Sequence, residues 1–128
     1  MTSSDWSGQF VVIHWPFSDG SSRKRRPALV VEEPDGQGDL RVLKVTSRQP
    51  SESALAITPK DLAEGQLKTT SYLRLGHSLK IHESLLNPVG VRLGTNKLAE
   101  VHRALALASS RQFSKLRHGP FRPAADPD

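Results

Sequence analysis

The sequence predicts a mainly β domain with short helices, a small barrel or sandwich. Three observations carry that prediction. Short apolar, β-branched runs recur between clusters of Gly, Pro, Asp and Ser, which is the pattern of an all-β fold. Sustained helical periodicity occurs once, near the C-terminus. The chain has 128 residues and no cysteine, so one small apolar core must organise it without a disulfide framework, a thiolate metal site or a cysteine nucleophile.

Gln9 to Trp15 is the first strand, apolar with a β-branched centre, closed by Pro16 and the turn formers Asp19, Gly20, Ser21 and Ser22. Pro27 to Glu33 is the second. The turn Pro34-Asp35-Gly36-Gln37-Gly38 follows, and Leu40 to Val45 alternates as a third strand that returns on the second as a hairpin. Ala54 to Ile57 is a short strand. Tyr72 to Leu75 and Ser78 to Ile81 read as two more, separated by Gly76 and His77. Thr58 caps a helix of one or two turns, with Pro59 where its missing N–H costs nothing, Asp61 near the positive end and Gly65 as the stop. From Thr95 or Asn96 to Ala108, Leu98, Val101, Leu105 and Ala108 fall on one helical face that closes a side of the core. Ser109 to Asp128 carries four basic residues and three prolines but little apolar material, and a flexible tail is expected there. The domain boundaries expected are a leader over 1–7, the barrel over 8–108 and the tail over 109–128.

Lys and Arg number 18 against 13 Asp and Glu, a formal net charge of +5, which fits an anionic partner. No apolar run approaches a bilayer-crossing length and no basic stretch precedes an apolar one at the N-terminus, so a cytoplasmic protein with no membrane partner is expected. The five histidines, His14, His77, His82, His102 and His118, show no ligand spacing. No metal and no cofactor are expected.

The chemistry concentrates where Arg23, Lys24, Arg25 and Arg26 run into Pro27-Ala28-Leu29-Val30-Val31. A residue before proline is held in extended backbone, so Arg26 stands at the mouth of a core strand with a guanidinium that matches a phosphate. The hairpin brings Val45-Thr46-Ser47-Arg48 back toward the same level, within reach of a shared pocket. Strand-end hydroxyls also commonly satisfy backbone groups.

In order and at comparable separations, Gly8, Pro16, Gly20, Arg26-Pro27-Ala28-Leu29-Val30-Val31, Val45-Thr46-Ser47, Ser71-Tyr72-Leu73-Arg74-Leu75 and Leu98-Ala99-Glu100-Val101 resemble the PemK/MazF toxins. The resemblance covers roughly residues 8 to 108. It implies an SH3-like barrel with a C-terminal helix, a homodimer, metal-independent cleavage of single-stranded RNA through the ribose 2′-OH, and inhibition by an acidic antitoxin. It places the family's Arg-Pro arginine on Arg26 and its threonine on Thr46 as catalytic residues, and a further arginine on Arg74. Arg23, Lys24, Arg25, Ser47 and His77 complete the expected substrate-binding set.

The chain departs from the family's pattern at three places. Gln9 stands where members carry an acid. The loop before Arg26 is short and basic. Gly76 stands two residues beyond Arg74, where PemK-type members place an aspartate for proton transfer, which leaves the general base unassigned and makes neighbouring His77 a candidate. The alternatives are a non-catalytic barrel that binds nucleic acid or a partner and, ranked lower, a gyrase poison like CcdB, whose Trp-Gly-Ile ending is absent from this chain.

Overall fold

The computed structural model describes residues 6–16, 23–50 and 54–118, with the side chains of 15–16, 23–24 and 109–118 left out. Seven strands, β1 (Gln9–Pro16), β2 (Arg23–Val30), β3 (Asp39–Thr46), β4 (Ala54–Ile57), β5 (Leu62–Glu64), β6 (Ser71–His82) and β7 (Asn87–Leu93), precede one helix, α1 (Thr95–His118). They form one antiparallel half-barrel sheet in the order β4-β6-β3-β2-β1-β7-β5. The mainly β prediction with a C-terminal helix is met. Both edge strands are short, which limits unpaired backbone at the rims.

Side chains alternate across the sheet and both faces are covered. Phe10, Leu29, Leu43, Val45, Ile57, Leu73 and Leu93 form one buried cluster, closed by Val101 of α1 with Leu98 and Leu105 packed against it. Val11, Ile13, Ala28, Val30, Leu40, Val42 and Leu86 form the second on the opposite face. A 3-10 turn over Glu83–Leu85 leads Leu86 onto that face. Trp6 packs there too, its indole N–H donating to Glu83 Oε1 at 3.0 Å. The helix is tied to the sheet by His102, whose Nε2–H donates to the Val31 carbonyl at 2.8 Å.

Several boundaries differ from the sequence reading. The second strand was expected from Pro27 to Glu33, yet β2 starts at Arg23, so the basic run pairs with β1 as strand, Arg26 opposite Ile13 and Arg25 opposite His14. Gly76 and His77 do not separate two strands. The β3–β6 register jumps from Leu43↔Ser78 to Lys44↔Arg74, so residues 75–77 are a bulge that leaves β6 continuous. The helix expected after Thr58 is a single 3-10 turn, Pro59–Asp61, because Leu62 is taken by pairing with Leu93. Strands β5 and β7 had no sequence signal. Pro88 and Gly90 break the strand pattern of β7, and β5 is only 3 residues long. Helix α1 runs past Ala108 to His118 because no Gly or Pro interrupts it before Gly119 and Pro120. The turn at residues 19–22, the leader up to residue 5 and the tail from residue 119 lie outside the described residues.

Two tight turns generate predictions. Gly65 has φ +83°, and a Cβ there would collide with the Gly90 carbonyl oxygen and lie 2.8 Å from Val91 Cα. Gly65→Ala should therefore lower the urea-unfolding free energy by about 2 kcal/mol or more, as backbone strain and clash predict. Asp35 accepts from the N–H groups of Gln37 at 2.9 Å and Asp39 at 3.0 Å. The Asp39 and then the Gln37 bond, aided by Lys80, hold its carboxyl below the usual range. A carboxylate depressed by folding stabilises above its unfolded pKa, about 4, and loses that contribution as pH falls through the lower folded value. Asp35→Asn should flatten the acid limb of a melting-temperature profile below about pH 4, and an unchanged limb would contradict this role.

Candidate functional site

Strands β2 and β3 pair only through Ala28↔Lys44, Leu29↔Leu43 and Val30↔Val42. Beyond Ala28 both strands continue but on different partners: β2 runs along β1 back to Arg23, and β3 runs along β6 to Thr46. Two further steps of the register would set Arg26 against Thr46, and there the strands have parted. Pro27 has no N–H with which to extend the ladder. The fork opens a cleft of about 570 Å³, with Arg26 and Pro27 on one wall and Lys44, Val45, Thr46, Ser47, Ser71 and Arg74 on the other.

The two sides of the sheet give the cleft two characters. Arg26, Lys44, Thr46 and Arg74 continue the face of Ala28 and Val42, with Lys44 directly opposite Arg74. On the other face Phe10, Val12, Leu67, Val89 and Val91 give an apolar lining, bordered by Gln66. Cations beside an apolar wall suit a ligand with a phosphate and a flat, apolar-faced ring system. Among the described residues lining the cleft there is no Asp, Glu or His.

Arg26 is half-buried and its guanidinium has no hydrogen-bond or ion-pair partner among the described residues. Thr46 Oγ1 accepts from the Arg48 N–H at 3.2 Å, so the hydroxyl closes the strand-end turn and still has its own proton to donate outward. Ser47 is exposed beside it. Arg74 is reached through β6, just before the bulge.

The fork thus brings Arg26, Thr46, Ser47 and Arg74 together. Arg25 is exposed and does not line the cleft, nor does His77, which is exposed in the β6 bulge. Arg23 and Lys24 have strand backbone, and their side chains lie outside the described set. Lys44 and Gln66 were not singled out from the sequence. Lys44 had a legible signal: it shares a strand face with Leu40 and Val42, so that face turns from apolar to charged two residues before Thr46.

The central strands of this half-barrel fork into a cleft lined by Arg26, Lys44 and Arg74, cations whose chemistry suits an anionic ligand. More specifically, residues 7–109 match the family of PemK-like, MazF-like toxins of type II toxin-antitoxin systems, and the chain belongs to it. Members are generally endoribonucleases and have an antitoxin partner. No curated protein matches the chain. Among the described residues no helix is long and apolar enough to cross a membrane.

The absence of a partner for Arg26 among the described residues makes its contribution to an anion site testable apart from folding. Arg26→Ala should leave unfolding free energy within about 0.5 kcal/mol of the parent. Added inorganic phosphate should raise the melting temperature of the parent and much less that of the variant. Equal phosphate stabilisation of both would remove Arg26 from the anion site.

Proposed function

We propose that the protein is the toxin of a toxin-antitoxin pair and cleaves single-stranded RNA at the β2–β3 fork without a metal. The observation that supports this most is that Arg26, Thr46, Ser47 and Arg74, drawn from three strands, line one cleft in a member of this family. The 2′-oxygen of a ribose attacks the adjacent phosphorus and loses its proton. The bond to the 5′-oxygen breaks and that oxygen gains one. The products carry a 2′,3′-cyclic phosphate and a 5′-OH.

Arg26 holds a phosphate oxygen and stabilises the charge that grows on it in the transition state. Thr46 donates its hydroxyl proton to the same phosphate. Arg74 adds a second contact, and Ser47 stands in reserve beside Thr46. The apolar lining accepts an unstacked base, which favours single strands, and the need for a 2′-OH restricts the reaction to RNA. On the family pattern the working form is a cytoplasmic homodimer held inactive by an acidic antitoxin, whose carboxylates compete with phosphate for the cations of β2.

Cleavage of an end-labelled RNA in EDTA is the test. The parent should cut, leaving 2′,3′-cyclic phosphate and 5′-OH ends, and Arg26→Ala should be slower by about two to three orders of magnitude. Thr46→Ala should lose less. A strict magnesium requirement or 5′-phosphate products would overturn the reaction. No cleavage but retained RNA binding would favour the non-catalytic reading, which Gly76 in place of the family's acid already motivates.

A further inference from the structure

We propose that Ser71, with Gln66 at the rim, reads a base: the Ser71 hydroxyl meets the hydrogen-bonding edge of a nucleobase that enters the apolar side of the cleft while its phosphate lies at Arg26. The inference deepens the proposed function and rests on the reading of the cleft as an RNA site. Ser71 is 9% exposed and is the one buried polar residue among the described residues. It opens β6 opposite Ile57 of β4 and shares a face with Leu73, so its neighbours across and along the sheet belong to the apolar core. Its hydroxyl has no hydrogen-bond partner among the described residues. A buried hydroxyl left unpaired costs stability, and such groups are met by water or by a ligand. Ser71 also lines the cleft, so the space from which its partner comes is the ligand space itself.

The surroundings fix the chemistry of that partner. Phe10, Leu67, Val89 and Val91 line the same side of the cleft, and Val89 is a large apolar side chain that stands 50% exposed there. A group that enters must be apolar over its faces and carry a donor or acceptor at the edge that reaches Ser71. A nucleobase has that form. An aliphatic ligand would leave the hydroxyl unpaired, and a sugar would set its own hydroxyls against the valines.

Gln66 supplies the second contact. It follows Gly65, whose tight packing against Gly90 and Val91 of β7 holds the turn in place. Gln66 is exposed, lines the cleft, and its amide has no hydrogen-bond partner among the described residues. An amide offers a donor and an acceptor side by side, and a hydroxyl offers both from one atom. The buried contact discriminates more strongly, because a base that fails to match the Ser71 hydroxyl leaves it unpaired, whereas Gln66 at the rim turns back to water.

Calorimetric titration with non-cleavable, one-phosphate probes tests this: the deoxydinucleotides dApdA, dCpdC, dGpdG and dUpdU, and the abasic dinucleotide that keeps only sugars and phosphate. The parent should bind the best base-bearing probe at least about tenfold more tightly than the abasic one. In Ser71→Ala that probe should lose about tenfold, the size of one buried hydrogen bond, with abasic affinity unchanged. Gln66→Ala should lose less. The melting temperature of free Ser71→Ala should equal or exceed the parent's, because the change removes an unpaired buried hydroxyl. A purely structural hydroxyl predicts the opposite, a lower melting temperature with an equal loss for every probe, and that result would overturn the proposal, as would undiminished binding of the best probe by the variant. A parent that binds the abasic probe as tightly as the other four would overturn the base site and leave the phosphate site standing. A parent that binds none of the five would overturn the RNA-site reading and this inference with it. Because no probe is cut, an inactive but binding protein still tests the site.

Discussion

The parting of β2 from β3 after the Ala28↔Lys44 pair is the constraint on which the rest depends. A sheet whose central strands stayed zipped to their ends would bury the backbone between them and leave no room for a ligand. Here each strand keeps a full partner on its outer side, β1 for β2 and β6 for β3. The fork therefore costs only the hydrogen bonds between the two central strands, and Pro27 has already removed one donor. Rigid strands on both sides hold the walls of the cleft in place, which a loop could not do as well.

The same parting explains how a small protein keeps both a core and a polar site on one sheet face. Toward the closed end of the hairpin, Val30, Leu40 and Val42 are buried, and toward the open end the same alternation delivers Arg26, Lys44 and Thr46. The apolar positions supply burial energy where the sheet is covered. The bulge at residues 75–77 assists by advancing β6 relative to β3, which brings Arg74 opposite Lys44 without ending the strand. The opposite face carries the larger share of the core and the helix, with Leu29, Leu43, Leu73 and Val101 fully buried, and it also supplies the apolar lining of the cleft.

The make-up of the lining bears on what the site can do. A cleft with cations on one side, an apolar wall on the other and no lining carboxylate or imidazole among the described residues favours charge stabilisation over proton relay. The family's acidic position is Gly76 here, at a point in the bulge where a Cβ would meet nothing within 4 Å. The backbone thus leaves room for a side chain at that position.

Much of this was legible before any coordinates. The hairpin, the position of Arg26 before Pro27, the Thr46-Ser47 pair on the returning strand and the apolar stripe of α1 all follow from local rules: proline geometry, turn chemistry and periodicity. Local rules failed where a long-range pairing decided the outcome. Arg23–Arg26 became strand because β1 pairs with them, Leu62 left a helix because Leu93 claims it, and residues 75–77 became a bulge because β3 holds both flanks. The sequence by itself determined which residues carry charge, hydroxyl and apolar surface and roughly where the strands turn. Only the tertiary structure decided that β2 and β3 separate, and so that Lys44 joins Arg74 in the cleft while His77 stays outside it, because which strands pair, and how far, is settled by contacts between residues distant in the chain.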